Sequence, residues 1–280
     1  MKFIDLFCGL GSFHQAFAAK GWQCVLASDI DESTHAIYRA NHGVTPRGDI
    51  YNIKDDDIPE HDILCAGFPC QAFSHAGKHM GFQDSRGVLF LEIIRFVRAR
   101  KPKILALENV PGLLTHDEGR TFRTIVGAIE GAGYSVHHTI AKASDYGLPQ
   151  MRRRVLMLCV RNDIACDAET ILDFSHRENR NVTMREFLGR NYEKKYAYTI
   201  RCGGRRSPIA SKQNWDGYMV DGVVHRLTLE EAKKLQGFPD GFHLSECSTT
   251  AWKHLGNTIP VVFSKLLADK IECVLKGKPG

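Results

Sequence analysis

KFIDLFCGLGSFHQAFAAKG, residues 2–21, is the stretch on which the fold turns. KFIDLF (2–7) has the alternation of a strand, Gly9 and Gly11 break it, and SFHQAFAAKG (12–21) takes helical spacing up to a terminal glycine. A strand passing through a glycine turn into a helix is the opening unit of a doubly wound sheet, and such turns lie where these sheets bind ligands. A dinucleotide site needs a third glycine at position 14, and His14 stands there. The turn therefore favours a nucleoside ligand without a pyrophosphate. Asp29, 18 residues beyond Gly11, ends the next strand, where an acid accepts both ribose hydroxyls.

Outward from this unit the rhythm repeats. CVLASD (24–29), GDI (48–50), DILCAGFP (62–69), KILALENV (103–110), YSVHHTI (134–140) and RRVLMLCV (153–160) read as strands. ESTHAIYRANHG (32–43), VLFLEIIRFVRARK (88–101) and FRTIVGAIEGAG (122–133) read as helices between them. Strands alternating with helices predict an α/β fold with a doubly wound, mostly parallel sheet. After about residue 165 the rhythm stops. A helix returns at TLEEAKKLQGFP (228–239), with Thr228 and Glu231 placed for a capping box. GNTIPVVFSKLLADKIECVL (256–275) reads as an apolar helix able to pack back on the sheet. Residues 1–174 are therefore expected to form the catalytic and ligand-binding domain, 175–252 a second, smaller irregular domain, and 253–280 a returning C-terminal helix.

Composition narrows the class. With 43% hydrophobic and 25% charged residues over 280 positions, the chain reads as an ordinary soluble globular protein. It contains no run approaching the ~18 apolar residues of a membrane span, and from MKFIDLF no signal peptide is expected. Nine scattered cysteines read as reduced thiols in a cytoplasmic protein. The net charge of +5 is localised: residues 176–212 carry ten Lys and Arg against three acids, leaving the rest slightly acidic. A basic segment in a near-neutral body is the footprint of a polyanionic partner.

Three stretches carry the chemistry, two of them at the ligand-bearing ends of strands. GFPCQAFS (67–74) puts Cys70 beyond the apolar run, between a proline and a polar residue, where backbone N–H groups would stabilise a thiolate. The glycine-rich loop after it (75–87), with Lys78 and Arg86, suits a cationic lid. ENVPGLL (108–114) places Glu108 among apolar neighbours, where desolvation raises a carboxyl pKa. QMRRRV (150–155) puts Arg152 and Arg154 on one face of an entering strand, suited to an anion or a polar base edge. No metal-ligand spacing occurs, and no metal is expected.

In this order, these elements resemble the cytosine-C5 DNA methyltransferase family, over roughly residues 2–160 and 195–275. FCGLGSF, GFPCQAFS, ENVPGLL and QMRRR are similar to four of its motifs, and RLTLEEAKKLQGFPDGF (226–242) and GNTIPVVF (256–263) to two more. The resemblance implies a Rossmann-like methyltransferase with a target-recognition domain, and S-adenosyl-L-methionine as cofactor. Phe7, Gly9, Leu10, Gly11, Asp29, Ile30, Asp49, Ile50, Pro69, Leu89 and Asn257 match cofactor positions, Ile30 standing where many relatives carry an aromatic. Cys70 is implied as nucleophile toward carbon 6 of a flipped-out cytosine, with Glu108 and Arg154 meeting charge at N3 and O2 and Arg152 holding Glu108 or the nucleophile loop. Water is expected to take the C5 proton. Ser74, Lys78, Thr199, Arg201, Arg205 and Arg206 are implied as DNA contacts. The partner is then double-stranded DNA, bound by a monomer, with a cognate restriction endonuclease acting on the same site.

Four rivals differ in what they leave unused. A cysteine hydrolase has no use for FCGLGSF, Asp29 or a basic segment. A binding module has no reason to keep Cys70, Glu108 and Arg154 together. An NAD-linked oxidoreductase conflicts with His14. An RNA (tRNA) cytosine-C5 methyltransferase remains the alternative, although the cysteine-phenylalanine-threonine tripeptide of that branch is absent here.

Overall fold

A computed structural model describes residues 1–69, 88–166 and 182–276. Strands β1 (Lys2–Leu6), β2 (Gln23–Ser28), β3 (Ile63–Gly67), β4 (Ile104–Asn109), β5 (Tyr134–Lys142) and β6 (Arg153–Arg161) form one sheet in the order β2-β1-β3-β4-β6-β5. The first four strands run parallel; β6 lies antiparallel to both β4 and β5. The sheet is thus mostly parallel, as expected, with one reversed strand. The expected strand at 48–50 is absent: a single bridge, Ser28 to Arg47, precedes a 3₁₀ turn over Ile50–Asn52.

Period-two alternation gives each strand two apolar faces. Ile4, Leu6, Leu64, Leu105, Leu107 and Met157 pack with α3 (Val88–Arg100) and α4 (Arg120–Glu130) on one side. Phe3, Ile63, Cys65, Ile104, Ala106 and Leu158 pack on the other with α1 (Ser12–Ala18) and the C-terminal helix. Helix α2 (Glu32–His42) is capped by Asp31, whose side chain accepts from the Ser33 N–H.

The later part adds α5 (Met184–Leu188), a hairpin β7 (Gly217–Val220) and β8 (Val223–Arg226), α6 (Leu229–Leu235), α7 (Ser248–Asn257) and α8 (Val261–Lys276). Thr228 and Glu231 form the expected capping box on α6. The helix expected over 256–275 is two helices, because Pro260 lacks the N–H needed to continue α7. A third apolar cluster gathers Tyr192, Trp215, Tyr218, Leu235 and Phe242 with Trp252 and Leu255 of α7, and Leu10 of the glycine turn reaches into it.

Beneath that turn lies a buried polar chain. The Tyr38 hydroxyl donates to Asp5 Oδ2 at 3.0 Å and sits 2.8 Å from His14 Nδ1, while His42 stacks on His14 at 4.4 Å. Burial pushes the Asp5 carboxyl up to about 8 and the His14 imidazole down to about 3. Asp5 therefore stays protonated in the folded protein where the unfolded chain has already ionised. Rising pH then favours the unfolded state between about pH 4 and 8. Relative to wild type, Asp5→Asn is expected to gain about 1 kcal/mol of stability per pH unit between pH 5 and 7. Urea denaturation at three pH values checks this, and a constant difference would mean an ordinary Asp5 titration.

Candidate active site

The parallel strands β1–β4 deliver their carboxyl ends to one edge. Beyond β1 the backbone turns through positive φ at Phe7 (54°), Gly9 (50°) and Gly11 (78°). Gly11 is required sterically as well, since a Cβ there would lie 2.3 Å from His42 Nε2 and 2.8 Å from the Tyr38 ring. A left-handed Phe7 is a strained conformation of the kind found at functional sites. Beyond β2, the Asp29 carboxylate accepts the Gly9 N–H at 2.7 Å and the Asp31 N–H at 2.8 Å, pinning the turn to the neighbouring strand end. Burial raises its carboxyl above the usual range.

The side chains expected around this cleft differ in exposure. Ile30 is 73% exposed, Pro69 and Asn257 are exposed, and Asp49, Phe7 and Leu89 are partly buried. Ile50 and Leu10 are buried in apolar clusters, and Leu10 presents its carbonyl to His42 instead, with Nε2 at 3.0 Å.

Glu108, next to last in β4, stands directly opposite Gly67 of β3, which is three residues before Cys70. A Cβ on Gly67 would stand 3.3 Å from Glu108 Oε2. Asn109 Nδ2 donates to the Phe68 carbonyl at 3.0 Å and fastens the two strand ends together. Because β6 is reversed, its first residues arrive at the same edge, and Arg154 Nε lies 2.6 Å from Glu108 Oε1. The two groups form a close ion pair with little exposure to solvent. Burial pushes the Glu108 carboxyl up, against the pull of Arg154 and Arg152, and the net direction is upward.

Arg152 was expected to hold Glu108 or the nucleophile loop, most of which lies outside the described residues. It is buried at 2% exposure and forms no hydrogen bond to Glu108 among the described residues. Its guanidinium donates to the carbonyls of Ile200 (2.8 Å), Gly256 (3.1 Å) and Thr258 (2.9 Å). It thus joins the strand-entry segment to the irregular region and to the end of α7. Burial, with Arg154 nearby, lowers its pKa to about 9. Gln150, to which the sequence reading gave no role, continues this tie: Nε2 donates to the Leu235 carbonyl at 2.6 Å and Oε1 accepts from the Ile200 N–H at 3.4 Å. Its position in QMRRR was the available signal.

The arginines of the basic segment divide. Arg205 lies over the Trp252 ring at 4.0 Å and 3.9 Å from buried Asp216, so it packs within the fold. Arg201 and Arg206 are exposed, and Thr199 is half-buried. Cys70, Ser74 and Lys78 lie outside the described residues.

A mostly parallel sheet with helices on both faces, carrying a glycine turn, an acid bonded to that turn and a buried Glu–Arg pair on one edge, is the architecture of a Rossmann-like methyltransferase. The sequence signature of C-5 cytosine-specific DNA methylases matches residues 1–219 and 191–273. The Type II methyltransferase M.HhaI of Haemophilus parahaemolyticus is 34% identical, over 100% of this chain and 96% of its own. M.MspI of Moraxella sp is 36% identical, over 98% and 71%. Among solved structures, the Dnmt2 methyltransferase of S. pombe superposes with a TM-score of 0.75 at 19% identity, covering 97% of this chain and 98% of that one. The chain belongs to the C-5 cytosine-specific DNA methylase family and is a DNA (cytosine-5-)-methyltransferase.

Proposed function

We propose that the protein transfers a methyl group from S-adenosyl-L-methionine to carbon 5 of a cytosine flipped out of a specific short DNA duplex, through a covalent adduct with Cys70. The observation that carries this reading is the Glu108–Arg154 pair: a buried carboxyl held against a guanidinium at 2.6 Å, opposite the strand that leads to Cys70. The cleft fits the cofactor. Asp29 is oriented by two backbone N–H groups, Ile30 is open beside it, and nothing lies within 4 Å of where a Gly9 Cβ would stand. Phe7, Gly9, Leu10, Gly11, Asp49, Ile50, Pro69, Leu89 and Asn257 complete the proposed lining. When bound, S-adenosyl-L-methionine supplies an electrophilic methyl group.

Carbon 5 of cytosine is too weak a nucleophile unaided, and the protein's part is to change that. The Cys70 thiolate adds to carbon 6, and the displaced electron pair moves toward N3 and O2. Glu108 supplies a proton at N3 and Arg154 faces the charge growing at O2. Carbon 5, now enamine-like, takes the methyl group. Loss of the C5 proton to water then returns an electron pair that expels Cys70 as thiolate, and the N3 proton goes back. Arg152 acts as a positioning residue. Such a carbon is inaccessible within a duplex, so the base must be extruded, at a cost of about a few kcal/mol. Ser74, Lys78, Thr199, Arg201 and Arg206 would hold the DNA around it.

Residues 1–174 and 253–280 then serve catalysis and 175–252 target recognition, in a cytoplasmic monomer. A restriction endonuclease cutting the same site is the partner that such modification implies. DNA is favoured over RNA by the 34–36% identity to Type II methyltransferases. A duplex carrying 5-fluorocytosine at the target, with S-adenosyl-L-methionine, is expected to trap a denaturation-resistant protein–DNA adduct, because fluorine at carbon 5 prevents the final elimination. The adduct should vanish in Cys70→Ala. Its persistence in that variant would falsify the nucleophile assignment, and trapping on an RNA hairpin but no duplex would move the substrate to RNA.

A further inference from the structure

The geometry points to Arg206 as a reader of guanine, which makes the recognised site one with an obligatory guanine near the target cytosine. The inference rests on the DNA-methylating function proposed above.

Its basis is the way the segment 203–207 is built. Trp215 Nε1 donates to the Gly203 carbonyl at 2.7 Å, and Arg226 Nη2 donates to the Ser207 carbonyl at 2.7 Å. Asp216 has no exposed surface, and both of its carboxylate oxygens lie 3.2 Å from the Arg206 N–H. Arg226 Nη1 holds the same carboxylate at 2.8 Å. The loop is therefore fastened through its backbone from three directions.

Within this rigid loop Arg206 has φ 63°, the left-handed region that favours glycine. A strained backbone persists at a bulky residue only where its surroundings over-determine it. Here the Asp216 clasp does so, and it fixes the point from which an exposed side chain leaves the loop, with no side-chain partner among the described residues. Its neighbour Arg205 uses the same chemistry inward, on Trp252 and Asp216. A phosphate contact needs only charge, and a mobile lysine supplies that; a guanidinium on a fixed stem suits the two acceptors of guanine, O6 and N7, in a fixed direction. Arg201 is exposed too, yet its φ is not in the left-handed region, and no comparable clasp holds its N–H among the described residues.

Arg206→Gly isolates the side chain, because glycine accepts the left-handed backbone and leaves the Asp216 clasp intact. The full-length enzyme is expressed in a host lacking other cytosine methylation, and 5-methylcytosine is mapped by bisulfite sequencing. The wild-type consensus should contain one invariant guanine that Arg206→Gly no longer selects, with discrimination there falling roughly ten- to hundredfold. The variant should melt at or above the wild-type temperature. Arg201→Ala is the control and should slow methylation at all sites alike. A consensus without an invariant guanine, an unchanged consensus in Arg206→Gly, or a uniform loss across sequences would each overturn the assignment. Absence of 5-methylcytosine from the wild-type host would instead overturn the methylation reading, and this proposal with it, so the wild-type arm separates the two failures.

Discussion

Gly256→Ala is expected to lower the melting temperature by roughly 6–12 °C and to reduce DNA methylation at least tenfold. The added methyl would stand 2.3 Å from the Cys202 nitrogen, 2.4 Å from the Arg201 carbonyl carbon and 2.8 Å from its oxygen. All three are backbone atoms, so no side chain can swing aside. Either α7 or the 201–202 segment must move, and overpacking of this kind costs about 3 kcal/mol, near the upper end of its usual range. The displacement falls on the carbonyls of Ile200 and Gly256, two of the three acceptors that hold Arg152. Stability and turnover should therefore fall together, read by thermal denaturation and by methyl transfer to duplex DNA. An alanine variant that melts with the wild type would show that this contact can relax at no cost.

Glu108→Gln is expected to slow methyl transfer by about 10²–10⁴-fold while leaving cofactor affinity unchanged. Glutamine keeps the shape of the side chain but cannot pass a proton to the base. In the wild type, burial raises the Glu108 carboxyl, and in the proposed mechanism its protonated form is the active one. The rate should accordingly be lost as pH rises through the folded pKa, and that alkaline limb should be absent from the variant. Equilibrium dialysis with labelled S-adenosyl-L-methionine and a pH–rate profile provide the two readouts. Turnover equal to wild type would remove Glu108 from the mechanism.

What was legible beforehand followed local rules. The five strands β1 to β5 stand within a residue or two of their expected positions, because alternating apolar faces and glycine stops mark them. The capping box at Thr228 is equally local. Glu108 announced its burial by the apolar residues on either side, and that burial is observed. The reversal of β6 was not legible, since VLMLCV is apolar on both faces and reads the same in either direction. The hairpin β7–β8 has only four residues a side, too few for a period, and its signal was the Asp221-Gly222 turn. Arg152 lies 48 to 106 residues from its three carbonyl partners, a separation that no local pattern encodes. Arg205 and Arg206 are chemically identical neighbours in the chain, and only residues further along, Asp216 and Trp252, tell them apart.

The grip of Arg152 has a consequence for how such an enzyme changes its target over generations. All three of its acceptors are main-chain oxygens. Side chains of the adjoining loop can be exchanged without loosening that clasp, provided the backbone path is kept. If Arg206 reads the target as proposed, it is thus free to drift toward new target sequences, while Gly256 is not. Divergence of specificity and preservation of chemistry are assigned to different atoms of the same few residues.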